Sequence, residues 1–454
     1  MHIRTIIILL LMLASIPAAA QVKPDAIEVD AKTYDLYLKA KWGELITEGD
    51  KAIDAGIDFY FLRMRMGIAY YTQKNYMSAA VHFERALEFS PKETDALEYM
   101  YWSLVFSGRD KEARSLTEDM PKKLITKIGA KPDRLFEGVY IEVGGTFNGD
   151  YDKQNKGGFG SDTVIYEQQK PDKNTSYVSL NLISNPLKRL TIFQGYNNIN
   201  ITSTRKFLSI GNQPADFDVS TKQNEYYLNA GYYAGSGFTI SGIFHYLNVK
   251  VDDVSASVNT QTGSITYSGF STTLNNYVGL LSIGKSINHF RFILGNSYSN
   301  LNNAKQIQNG LTIVYFPLGN LDLYSVTDLT LHSEKKDDVT GNPPGTFISR
   351  GLIKQKIGFK AADKLWLEGF YFFGNGVNFH EDNAFVVFNT ENIINNRFGF
   401  NIISPISPKI ELSLRYQYYK QEVPELVYDT PSSYNYLYKT NSFHKIIGSI
   451  KWTF

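Results

Sequence analysis

Between Arg350 and Lys451 basic side chains recur on the polar face of an alternating pattern: Arg350, Lys354, Lys356 and Lys360, then Arg397, Arg415, Lys445 and Lys451. A period of two places the residues of one strand on one face. A wall of ammonium and guanidinium groups attracts anions, so the chemistry open to it is binding or passage of an anionic solute or polymer. The alternative is structural. The same cations can pair with carboxylates such as Glu142, Asp322 and Asp328 and brace the wall, and Glu368 and Glu411 offset part of the row in any case.

Hydrolytic chemistry would need a histidine joined to a carboxylate and a nucleophile. Asp328 and His332 share one face of one expected strand, and His380-Glu381-Asp382 falls in a stretch expected to form an external loop. Neither comes with a nucleophile motif or a metal-ligand spacing such as HExxH. No catalytic residue, metal set or cofactor is therefore assigned. Gly157-Gly158-Phe159-Gly160 lacks the strand-to-helix context of a phosphate loop and reads as an ordinary loop. The chain has no cysteine, which excludes disulfides, thiolate metal sites, a catalytic thiol and a lipidated cysteine. A net charge of +1 without a basic run gives nucleic acid no purchase.

The elements that must position the basic row lie in the stretch 137–454. Its last strand sets the pattern: His444, Ile446, Gly448, Ile450, Trp452 and Phe454 alternate with Lys445, Ile447, Ser449, Lys451 and Thr453. Strands are expected at 137–148, 177–185, 188–204, 221–235, 237–251, 272–287, 289–302, 305–317, 320–334, 347–361, 364–379, 393–404, 408–423 and 442–454, about fourteen in all. Tight turns (Asn185-Pro186, Gly235-Ser236-Gly237, 286–289, 317–320, 361–364, 404–408) alternate with long polar connections (149–176, 205–220, 252–271, 335–346, 380–392, 424–441). Short turns on one side and long loops on the other are the grammar of a transmembrane barrel, and the short link at Asn302-Asn303 is the exception. An even strand number puts both barrel ends on the short-turn side; an error of one hairpin would give twelve or sixteen. Past the N-terminal segment no run reaches the ~20 apolar residues of a spanning helix. A membrane reading therefore requires a closed sheet. Alternation also orients the wall: Ile353, Gln355, Ile357, Phe359, Ile410, Leu412, Leu414 and Tyr416 face outward, and the basic row faces the lumen.

Ahead of the barrel, residues 1–20 read as a secretory signal, with Arg4, an apolar run from Ile6 to Leu13 and Ala18-Ala19-Ala20 before Gln21. Residues 21–118 have helical periodicity, 119–136 form a linker or capping segment with a short helix at Lys122–Ile128, and 137–454 form the barrel. Within the helical region Gly67, Tyr70, Ala79, Phe83, Ala86 and Pro91 stand at the offsets of a tetratricopeptide unit of about 34 residues. Gly67 and Ala79 let paired helices approach, Tyr70 and Phe83 fill the groove between them, and Pro91 stops the second helix. Echoes at Ala52 and Ala113 suggest about three helix pairs with atypical ends. Such an array is expected to dock a peptide or protein on its concave face; the alternative is a packed spacer.

Two resemblances follow from these residues. A chain that ends on an aromatic-rich strand with a terminal Phe resembles bacterial outer-membrane barrels, which implies that Ile450, Trp452 and Phe454 form the signal read by the barrel-assembly machinery. A cleaved signal, a periplasmic tetratricopeptide domain and a C-terminal barrel together resemble the outer-membrane exporters of bacterial exopolysaccharides. The resemblance implies a barrel in outer-membrane lipid, a periplasmic protein partner for the repeats, and passage or export of a solute or saccharide polymer. The fold class is thus a short helical array followed by an antiparallel transmembrane barrel. A non-conducting anchor whose repeats recruit a periplasmic complex is the second reading, and a barrel hydrolase the third.

Overall fold

The computed structural model describes residues 25–130, 134–158, 165–211, 213–258, 264–335, 345–430 and 433–454; the expected signal segment 1–20 and part of the glycine stretch 157–160 lie outside the described residues. The chain divides into two compact units, one ending at Ser103 and the other running from Leu104 to Phe454. The dividing line falls inside a helix, so residues 104–118, grouped by sequence with the helical array, fold with the barrel.

The first unit holds α1 (Ala26–Leu38), α2 (Trp42–Asp54), α3 (Tyr60–Thr72), α4 (Tyr76–Phe89) and most of α5 (Thr94–Phe106). Local chemistry sets the helix ends: the Asn75 side chain accepts from Ser78 N (3.1 Å) at the start of α4. Pro91 follows its end. Leu45, Leu62, Met66, Ala69, Ala79, Phe83 and Ala86 are fully buried. Gly67 has to be small, because a Cβ there would run into the Phe83 ring. Phe83 in turn stacks on Tyr99 at 5.2 Å, and Tyr70 stacks on His82 at the same distance.

The second unit opens with α6 (Asp110–Leu116) and α7 (Lys122–Ile128), which starts after Pro121 and stops at Gly129 in the left-handed region (φ 59°). Then come β1 (Phe136–Asn148), α8 (Tyr151–Asn155), β2 (Tyr166–Gln169), β3 (Asp172–Leu187), β4 (Leu190–Ser209), β5 (Ala215–Gly235), β6 (Phe238–Val258), β7 (Ile265–Ile287), β8 (Phe290–Ser299), β9 (Lys305–Tyr315), β10 (Leu323–Lys335), β11 (Phe347–Ala362), β12 (Leu365–Phe373), β13 (Phe379–Glu381), β14 (Val386–Phe388), β15 (Ile393–Ser407), β16 (Ile410–Thr430) and β17 (Ser433–Thr453). Antiparallel pairing closes the sheet. Ile141 of β1 sits opposite Ile450 of β17 on one side and Leu180 of β3 on the other. The ring runs β1, β3 to β12, then β15 to β17, a closed barrel of 14 strands as expected. Closure leaves no strand edge, the condition for a sheet in lipid. The register turns apolar side chains outward: Leu281, Leu294, Phe400, Leu414 and Trp452 are each at least half exposed, whereas Glu142, Glu225, His245 and Arg397 are buried inside.

Two expectations need correction. The connections 205–220, 252–271 and 424–441 are not mainly loops, because β4 and β5, β6 and β7, and β16 and β17 continue as paired ribbons to within a few residues of their turns. Beyond the lipid both faces of a ribbon are wet, so the alternation that marks a strand fades while the backbone ladder continues. The segment 380–392 is not an external loop. Its residues form the β13–β14 hairpin, and Phe379, His380 and Ala384 are buried inside the barrel.

Candidate functional site: the barrel lumen and its hairpin

The hairpin leaves the wall between β12 and β15 and reaches the far side. The carbonyl of Asn383 accepts from Tyr227 Oη of β5 (2.9 Å), and Ala384 O meets His245 Nδ1 of β6 (2.7 Å). In a ring of 14 strands β5 and β6 lie seven places from β12 and β15, so the hairpin spans the lumen diametrically. Its flanks are tied to the walls it passes. Asn378 donates to Glu334 (2.6 Å), Gln308 Nε2 donates to His380 O (2.9 Å), and Asn389 donates to Asn276 (3.1 Å). The short link at Asn302-Asn303 has a place here: Asn302 bonds Asn378 (2.7 Å), and Leu301 joins an apolar cluster with Tyr227, Leu247, Val278 and Ala384. The tip residues Asp382, Asn383 and Ala384 all have positive φ (51°, 56° and 59°), a conformation that costs non-glycine residues about 1 kcal/mol or more each and persists only under tight surroundings.

Six of the eight basic residues meet carboxylates within 4.0 Å. Lys354 pairs with Asp382 (2.8 Å) and Glu381 (3.2 Å), and Arg397 with Glu381. Lys356 pairs with Glu368 (3.2 Å), Arg415 with Glu142 (3.5 Å), Arg350 with Glu334 (3.5 Å) and Lys360 with Asp363 (3.3 Å). Among the described residues no ion pair is formed by Lys445, whose ammonium lies 5.4 Å from the Tyr177 ring centre, or by Lys451, which lines the cavity below. Glu381 and Asp382, the acids that neutralise the centre of the row, were not assigned to the lumen by sequence. A signal was present: Phe385-Val386-Val387-Phe388 is an apolar run out of place in a solvated loop.

On the short-turn side of the hairpin a cavity of about 520 Å³ remains, lined by both charge signs (Lys356, Lys451, Glu142) and by aromatic faces (Phe193, Tyr227, Phe370). It is suited to holding a polar solute with a flat face.

The histidines do not assemble a nucleophile. Asp328 accepts from Thr312 (2.6 Å), and His332 is buried on the same strand. His380 Nε2 does lie 2.6 Å from Ser297 Oγ. However, Gln308 Nε2 faces His380 Nδ1 (3.3 Å), so Nδ1 accepts and the ring proton sits on Nε2, donating to the serine. Ser297 in turn donates to Gln308 O (3.3 Å). This is the reverse of the direction a general base needs.

In the helical unit the six repeat-motif residues sit together on α3, α4 and the turn after α4. At the barrel terminus Ile450, Trp452 and Phe454 all face outward, with Trp452 and Phe454 rings 5.3 Å apart.

A closed barrel with an apolar outer face and a polar, hairpin-crossed lumen defines a transmembrane β-barrel of the outer-membrane kind. No family model and no curated protein matches the chain. Among solved structures it is similar to a FadL homologue of Pseudomonas aeruginosa (10% identity, 70% of this chain and 90% of that one, TM-score 0.41). It is also similar to the P. putida toluene transporter TodX (10%, 70% and 90%, TM-score 0.42) and to a bacterial polysaccharide outer membrane secretin (8%, 70% and 98%, TM-score 0.36). Likenesses of this degree carry no argument about cargo.

Proposed function

We propose that this protein is an outer-membrane barrel for gated passage or export of a solute, exported by a cleaved signal at 1–20 and recognised by the assembly machinery through Ile450, Trp452 and Phe454. Its helical unit is a tetratricopeptide-type array in the periplasm that docks a partner protein. The observation that carries the reading is the β13–β14 hairpin. It crosses the lumen on hydrogen bonds and ion pairs that can be exchanged for water, beside a cavity large enough for a solute. With the hairpin displaced, Glu381 and Asp382 no longer offset Lys354 and Arg397, and this supports an anionic or acidic saccharide cargo over a cationic one.

A second reading, the non-conducting anchor, is favoured by the extent of charge pairing around the hairpin. Planar-bilayer conductance separates the two. The full chain is expected to be closed or to flicker, and a variant with 377–390 replaced by a Gly-Ser link to conduct with anion preference that drops in Lys451→Glu. A folded hairpin-deleted barrel that stays silent would move the assignment to the anchor.

A further inference from the structure

The hairpin closes the lumen from the long-loop side; the opposite mouth has its own occupant. The chain that precedes β1 runs across it. At Gly108 an added Cβ would lie 3.3 Å from the Leu321 side chain, in the β9–β10 turn. Two helical turns on, Arg114 donates to Glu137 of β1 (3.0 Å) and to Thr191 of β4 (2.7 Å). In the ring of 14 the β9–β10 turn follows the eighth strand, so these anchors lie nearly opposite one another and α6 crosses the mouth between them. Between the anchors the helix turns polar groups into the barrel. Glu112 accepts from Tyr233 Oη of β5 (3.1 Å), and Lys111 extends along the inner wall, where a Cβ on Gly231 would run into its ammonium.

We propose that α6 is a reversible stopper of the short-turn mouth, a second closure in series with the hairpin, which rests on the gated-passage reading of the lumen. Two features make it reversible. A helix of seven residues is too short to be stable by itself and holds only while docked. Among the described residues its polar anchors are few, one ion pair and two hydrogen bonds, and Arg114 supplies two of the three; they are partly buried, so losing Arg114 weakens them strongly and salt only in part. Because α6 follows directly on α5, whose first part belongs to the helical unit, a partner that engages that unit has a covalent lever on the stopper.

The chain lacks cysteine, so Asn229→Cys, on the cavity wall, provides a single reporter in the full-length protein in lipid nanodiscs with the hairpin intact. A sulfonated, membrane-impermeant maleimide is expected to label it slowly, and roughly tenfold faster when Arg114→Ala frees the helix, with a smaller rise when salt is raised. Equal rates with and without Arg114→Ala and at both salt levels would overturn the stopper. Hydrogen exchange of the 110–116 amides in the full chain gives an independent reading. For the hydrogen-bonded amides 112–116, protection above that of a free short peptide but below that of the barrel strands is expected, and exchange at the free-peptide rate would overturn the proposal whatever Arg114→Ala does to folding. The passage reading fails separately, on a silent hairpin-deleted barrel, while labelling and exchange still report on α6.

Discussion

The helical unit and the barrel use the same apolar alphabet in opposite directions. In the first unit Phe83 is fully buried against Gly67 and Tyr99; in the barrel Phe373 is 51% exposed and Arg397 is 2% exposed. The helical unit packs core aromatics such as Phe83 away from water, although Phe61 stays 60% exposed, whereas the barrel turns aromatics to lipid along its whole outer face and keeps its charges inside. Which face is apolar therefore reports the surrounding solvent, and the interior of each unit is held by a different force: dispersion and apolar burial in one, paired charge and hydrogen bonds in the other.

The contrast can be broken most strongly at its two phenylalanines. Phe83→Ala should destabilise the helical unit by about 3–5 kcal/mol in chemical denaturation, as large buried aromatics do, while Phe373→Ala should cost less, about 1–2 kcal/mol, because it loses the transfer from water to lipid but leaves no cavity behind. No loss at all at Phe373 in a bilayer would mean that the outward face is not in lipid. Next, Leu414→Arg places a cation on the outward face nearer mid-depth and should cost about 2–4 kcal/mol in bilayer refolding, whereas the inward neighbour Ser413→Arg should cost less than half of that.

Acid sharpens the comparison further. Burial, with Arg63 beside it, holds the His82 imidazole down to about 4, and Arg63 Nη1 points at His82 Nδ1 (3.3 Å), a contact that requires the neutral ring. The unfolded chain takes up that proton near 6.5, so the helical unit should lose on the order of 3 kcal/mol as pH falls from about 6.5 to 4. Asp58 titrates beneath this window: burial alone would raise its carboxyl, but hydrogen bonds from Arg63 and Arg85 outweigh burial and hold it low. Circular dichroism melts of the full chain across this range should show the helical transition moving, and His82→Phe should flatten the dependence. Smallest in stability, and informative on the lumen, is the drop in anion preference of the hairpin-deleted channel in Lys451→Glu.

Much of the barrel was legible because lipid on one side and water on the other imposes a period of two that survives strand by strand. All fourteen expected strands overlap observed ones, down to the turns at 235–237 and 286–289. Legibility failed where that boundary condition lapses. Above the lipid, β16 and β17 run on to Thr430 and from Ser433; there the alternation of Tyr434, Tyr436 and Tyr438 was a strand signal, but the Pro, Ser and Asn residues around it made the stretch read as a loop. The basic row from Arg350 to Lys451 was readable as inward-facing, but its partners were not, since Glu381 and Asp382 arrive from a connection that sequence places outside. The same holds for α6, which reads as one more amphipathic helix until its docking surface is formed.

By itself, then, the sequence determined the alternation, the strand count and the outward apolar face, because these are set by neighbours two residues apart. The tertiary structure alone decided that the β13–β14 hairpin crosses the lumen, that Lys354 and Arg397 are neutralised there, and that residues 104–118 belong with the barrel. Those outcomes join side chains as far apart as Tyr227 and Asn383. Such contacts exist only once the ring of strands has closed and brought opposite walls within reach of one loop.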